Sequence, residues 1–160
     1  GGGEMPPGMG GVEGPAARGA PAGIVRFYQK AFHAAATLSQ DNGAAAAHVS
    51  MGLHQEVVFR ETDGPIAPYD GHHIAVYIAD FSGPHEWLKE RGLVTEESNP
   101  YQYRFQVITD PDSGRPLSEL EHEVRCATHP MYMRPLINRN AAQRQATYVR
   151  GRDAFVPGLL

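Results

Sequence analysis

One cysteine, Cys126, serves the whole 160-residue chain. That excludes an internal disulfide and any thiolate metal cluster, and a reducing, cytoplasmic setting is the expectation. Long apolar runs are missing too. No stretch approaches the roughly 18–20 residues of a membrane-spanning helix, so no membrane partner is expected. Positive charge is in short supply: 14 Lys and Arg stand against 18 Asp and Glu, a net charge of −4. Nothing in that balance calls for nucleic acid. There is no phosphate loop, no dinucleotide fingerprint and no G-x-S-x-G nucleophile turn. What is present is an ordinary globular composition, 41% apolar and 20% charged. The length suits one domain or two small fused modules, and a real core. The charge is uneven: residues 127–160 hold five arginines and one aspartate, so the remainder carries −8.

Residues 1–23 are rich in Gly and Pro and read as an arm, since such a stretch buries too little apolar surface to offset its ordering entropy; the alternative is that the arm holds a degenerate first strand. A helix is expected from Ile24, with Phe27, Tyr28 and Ala31 following at i+3, i+4 and i+7. AAATLSQ and AAAAHVSMG read as strands around a tight DNG turn, and QEVVFRET as a third. ETDGPIAPYDG is a linker. HHIAVYIADF is then a strand, and SGPHEWLKERG a short helix capped by Ser82 and ended by Gly92. VTEE is a short strand, YQYRFQVIT a long one, DPDSGR a turn and PLSELEHEVR the last strand. The order is helix and three strands, then strand, helix and three strands. The first unit lacks a convincing opening strand.

Several of these pieces resemble one family. FYQKAF is similar to its first-helix pattern, HHIAVYIADF to the opening strand of its second module, WLKERGL to the helix that follows, and YRFQVITDPDSGRPLSELEHE to its paired closing strands. In this order and spacing, over residues 24–126, they resemble the vicinal-oxygen-chelate superfamily, which includes glyoxalase I, extradiol dioxygenases and bleomycin-resistance proteins. The resemblance implies an α+β fold of two βαβββ modules curving into a cup-like mixed sheet, over 24–66 and 67–126, followed by a basic extension from 127 to 160. It also implies a divalent metal (Fe, Mn, Ni or Zn) held from the first and last strands of each module. The matching positions are His73, Glu121 and Glu56. The fourth, on the first strand of module one, has no clear match; Glu4 and Glu13 are the acidic residues upstream, and neither sits in a strand-like run.

Strand alternation checks these positions independently. His73, Ala75 and Tyr77 share one face of their strand, and Ile74, Val76 and Ile78 the other. Glu119, Glu121 and Glu123 oppose Leu120, His122 and Val124, while Glu56 and Arg60 oppose Val57 and Phe59. If the apolar sets pack on helices, His73, Glu121 and Glu56 all face the cup. One imidazole and two carboxylates suit a divalent ion of intermediate hardness. Glu56 or Glu121 is then the expected acid–base group. Arg60 and Arg104 are expected to clamp a substrate anion, and Tyr77 and Tyr103 to line the pocket. The expected function is a metal-dependent lyase, isomerase or ring-cleaving dioxygenase acting on a small oxygenated molecule. The alternative is a metal-free protein that sequesters a small molecule. A homodimer is expected in either case, because unpaired sheet edges are a liability. His122 and Cys126 read as packing residues, and His129 with the tail arginines as surface or dimer contacts.

Overall fold

The computed structural model describes residues 11–52 and 54–132. The element order is β1 (Val12–Ala17), α1 (Ala20–Phe32), β2 (Ala36–Asp41), β3 (Ala44–Gly52), β4 (Gln55–Thr62), β5 (His73–Ile78), α2 (Ser82–Glu90), β6 (Val94–Asn99), β7 (Gln102–Thr109) and β8 (Pro116–Cys126). The fold is therefore α+β, built from two βαβββ units. Each unit makes a four-stranded mixed sheet, ordered β1-β4-β3-β2 and β5-β8-β7-β6. The opening strand of each runs parallel to the last strand of its own unit, and the other pairs are antiparallel.

The first unit is complete. VEGPAA, inside the Gly- and Pro-rich stretch read as an arm, forms β1 and pairs with β4 from Val12↔Val57 to Ala17↔Thr62. Its Pro15 is tolerated because β1 lies at a sheet edge, where a missing N–H breaks no central ladder. Gly19, at φ 80, turns the chain into α1, and its N–H donates to Glu61 Oε2 at 2.8 Å. The helix starts at Ala20 with Pro21 in its first turn, a turn earlier than the apolar spacing alone suggests. The DNG turn forms as read, with Asn42 and Gly43 both at positive φ. In α2, Asp80 rather than Ser82 accepts the free Gly83 N–H, at 3.1 Å, and Gly92, at φ 66, follows its end.

Both sheets turn their apolar faces to α1. Phe27 meets Trp87 of α2 edge-on at 5.5 Å and Phe105 of β7 at 5.8 Å. Tyr28 packs on Phe59 of the first sheet and on His122 of the second. Ala47, Val49, Val57 and Phe59 from one sheet join Tyr103, Phe105, Leu120 and Val124 from the other in a single core. Arg26 and Lys30 extend from α1 to Asp110 and Asp112, so the DPDSGR turn anchors the helix. The opposite face of each sheet consequently points away from α1.

Candidate functional site

On the outward face of the second sheet, His73 and Glu121 are register neighbours across the parallel β5–β8 pair. His73 is exposed and Glu121 half-buried. Tyr69 fixes their meeting. Its hydroxyl donates to the His72 carbonyl at 2.5 Å and accepts the Glu121 N–H at 3.2 Å, joining the backbones just ahead of the ladder. His72 itself lies before the strand, exposed, with Nδ1 2.5 Å from Asp70 Oδ1. That contact holds the Asp70 carboxyl below its ordinary range. Tyr69→Phe keeps the ring and removes both bonds. We expect a loss of about 1–2 kcal/mol in urea denaturation, with faster amide exchange at His73 and Glu121.

Around Glu121 the face is a charged network. Arg104 Nη1 donates to Glu121 at 2.7 Å, Arg104 Nη2 donates to Glu123, and Glu96 lies 3.6 Å from its Nε. Arg125 donates to Glu123 at 2.7 Å and to the Tyr77 hydroxyl at 2.9 Å. The row Glu119, Glu121, Glu123 would repel itself without such counter-charges. Tyr77 thus faces the site side, as strand parity requires. Tyr103 does not. It neighbours Arg104 in β7 and so must face the other way; it is 1% exposed, in the core against Phe81 and His85, and burial pushes its hydroxyl above its ordinary pKa.

The first sheet presents Glu13, His48, Glu56, Val58 and Arg60 on its outward face. Arg60 Nε donates to Glu13 Oε1 at 2.9 Å, and this bond holds the Glu13 carboxyl below its ordinary range. Glu56 is exposed, 3.4 Å from His48 Nδ1, and is not brought together with His73 and Glu121.

The two units correspond in their spacing. Glu13 stands fourteen residues before Phe27, and His73 fourteen before Trp87, the two rings that meet edge-on. Tyr28 and Leu88, the next residues, are both fully buried. Glu13 is thus the counterpart of His73. Its register partner is Val58, the counterpart of Glu121, so the first sheet's closing position is apolar and Glu56 lies two residues away from it. Glu13 is the acidic residue that sequence reasoning left without a strand, because β1 was not visible.

Similar solved structures share this architecture. The fosfomycin resistance protein FosX from Listeria monocytogenes matches with a TM-score of 0.53 at 16% identity, over 79% of this chain and 95% of that one. A possible glyoxalase from Bacillus cereus matches at 0.52 and 15%, over 76% and 100%. A glyoxylase/bleomycin resistance protein/dioxygenase domain from Frankia sp. EAN1pec matches at 0.50 and 16%, over 80% and 98%. No protein-family model and no curated protein matches the sequence. The chain has the vicinal-oxygen-chelate fold. Among its neighbours, another structure of the Listeria protein is a complex with Mn(II) and sulfate, at a TM-score of 0.51.

For a divalent ion in this fold, the donor chemistry fits: Glu13, His73 and Glu121 supply the nitrogen and oxygen ligands that Mn, Fe, Ni or Zn accept. The placement fits in part. His73 and Glu121 share a face, but among the described residues no three His, Cys, Asp or Glu side chains are grouped to hold an ion. Glu13 is on the other sheet, facing away.

The remaining sequence candidates have structural places. His122 is buried beside Tyr28, as a packing residue should be. Cys126 is free and half-buried at the end of β8, with Sγ 2.9 Å from Thr128 Oγ1. His129, expected at the surface, is 8% exposed and packs edge-on against Tyr77. The arginines of the tail and Glu4 lie outside the described residues. No helix among the described residues is long and apolar enough to cross a membrane.

Proposed function

We propose that this protein is a divalent-metal-dependent enzyme acting on a small oxygenated molecule, of the lyase, isomerase or dioxygenase type, and that its site is completed in a homodimer. The observation that carries this reading is the register match of His73 with Glu121, echoed by Glu13 at the equivalent place in the first unit. These donors lie on outward faces of different sheets. A second copy that sets its first sheet against the second sheet of its partner brings Glu13 to His73 and Glu121. The strands that carry Glu13 and His73, β1 and β5, are edge strands, as β2 and β6 are, and each has a side open to that approach.

A bound ion would polarise a substrate oxygen as a Lewis acid. This chain's side chains would do the rest. Tyr77, held by Arg125, would wall the site and orient the substrate. Glu56, exposed beside His48, would take or return a proton. Arg60 and Arg104 would balance charge near the reacting oxygens. A reducing, cytoplasmic compartment with neither nucleic acid nor membrane as partner suits the single free thiol and the acidic balance.

A second reading is a metal-free protein that sequesters a small molecule. It is favoured by Arg104 on Glu121 and Arg60 on Glu13, which neutralise both carboxylates without an ion. Mn(II) uptake by protein purified without chelator or histidine tag separates the two. The enzyme reading expects near-stoichiometric binding, lost in His73→Ala and Glu121→Gln. Absence of uptake of Mn, Fe, Ni and Zn by wild type would leave the sequestering reading in its place.

A further inference from the structure

Both carboxylates of the donor set are already held by an arginine of their own sheet. Arg104 Nη1 is 2.7 Å from Glu121, and Arg60 Nε is 2.9 Å from Glu13. We propose that Arg104 and Arg60 are placeholder cations: they keep the two half-sites neutral and their carboxylates in position, and they give those carboxylates up when an ion binds. This inference rests on the metal-site reading above.

Three observations support an exchangeable contact over a fixed structural one. Neither arginine is committed to one partner: Arg104 also donates to Glu123 and lies 3.6 Å from Glu96, and Arg60 lies 3.6 Å from Asp41. When Glu121 turns to an ion, Arg104 keeps Glu123 and Glu96, and Glu123 keeps Arg125. No buried charge is then stranded, which is the costly outcome when a buried pair is broken. Third, Arg104 Nε is buried without a hydrogen-bond partner, so the guanidinium is not optimally seated where it is. Glu13, on the opening strand of the first unit, and Glu121, on the closing strand of the second, each carry an arginine counter-ion, from β4 and β7 respectively.

A placeholder predicts a sign that a structural ion pair does not. The ion must displace the guanidinium and bind in its repulsive field, so removing the arginine should tighten binding. Mn(II) binding to the intact protein, followed by the EPR signal of free Mn(II), reads this directly. Arg104→Gln and Arg60→Gln should each lower the Kd by about tenfold or more, while Arg104→Lys, which keeps the charge, stays near wild type. If wild type takes up Mn(II) and the Gln variants bind it equally or more weakly, the placeholder role is overturned and the metal site stands. If wild type and both Gln variants bind none at millimolar Mn(II), the metal site and the placeholder role fall together. Should Arg104→Gln not fold, the more exposed Arg60→Gln carries the same test of sign.

Discussion

Acidification from pH 7 to pH 4 should remove about 3 kcal/mol of stability through His122 alone. This imidazole is 1% exposed, stacked on Phe105 at 4.2 Å and beside the Tyr28 ring. Its protonation state follows from its partners. A carbonyl accepts and never donates, so Nδ1–H must donate to the Leu120 carbonyl, 2.6 Å away. Nε2 is then the acceptor, and the Tyr28 hydroxyl donates to it at 2.6 Å. The pair is neutral and fully satisfied, and no carboxylate is near to favour the charged ring. Burial accordingly pushes the His122 pKa down from 6.5 to about 4, and the Tyr28 hydroxyl well above its ordinary value. The folded pKa lies below the unfolded one, so the unfolded chain takes up the proton first. The contribution is complete above pH 6.5, falls as pH drops toward 4, and changes no further below that.

Exposed carboxylates with lowered pKa, such as Glu13 and Asp63, also lose their pairing in acid. Their exposure keeps each effect small, and they are common to wild type and variant. The double variant Tyr28→Phe/His122→Phe removes donor and acceptor together. Urea denaturation between pH 7.5 and 4 should find it closer to wild type at pH 7.5 than Tyr28→Phe alone, which leaves Nε2 unpaired at a cost of about 1–3 kcal/mol. Its stability curve should also be flatter than that of wild type by about 3 kcal/mol across the range. Parallel wild-type and double-variant curves would show that His122 takes up its proton as readily in the fold as in the unfolded chain.

That a residue flanked by Glu121 and Glu123 should be buried was legible from strand alternation, which set His122 with Leu120 and Val124. The same period of two placed His73, Glu121, Tyr77 and Arg60 on the faces they occupy. Where it was set aside, the expectation failed: Tyr103 and Arg104 are adjacent in β7 and cannot both line one face. The opening strand was hidden for a different reason. VEGPAA has little intrinsic strand preference, and its composition is that of a loop. It is ordered by parallel pairing with β4, a contact with residues some forty-five positions away that no local window contains. With β1 hidden, Glu13 had no face, and the register that makes Val58 the counterpart of Glu121 could not be read, so Glu56 stood in for it. Arg104 was read as a clamp for a substrate anion. Its hold on Glu121 itself required the β7–β8 register.

Mixing two inactive halves should restore a metal site if the centre is shared between copies. Glu13→Gln and Glu121→Gln homodimers each lack one donor in both sites, and neither should retain Mn(II). In a mixed dimer the two lesions distribute unevenly. One site combines the altered Glu13 of one copy with the altered Glu121 of the other, while its mate combines native Glu13 with native His73 and Glu121. Co-expression with two histidine-free tags, followed by sequential capture, isolates this species, and it should hold about one ion per mixed dimer. The geometry behind the expectation is the position of α1. Because Phe27, Tyr28 and Phe32 pack against both sheets, the Glu13 face and the Glu121 face belong to different sheets and each turns away from α1. Among the described residues no three such side chains are grouped to hold an ion within one chain. A centre built inside a single chain would leave the mixed species as empty as its parents. Retention of Mn(II) by the Glu13→Gln homodimer would instead remove Glu13 from the ligand set and leave His73 and Glu121 with a partner other than β1. Loss in both homodimers with recovery in the mixture has no explanation within one chain, because each mutant chain lacks a donor that only a second copy can replace.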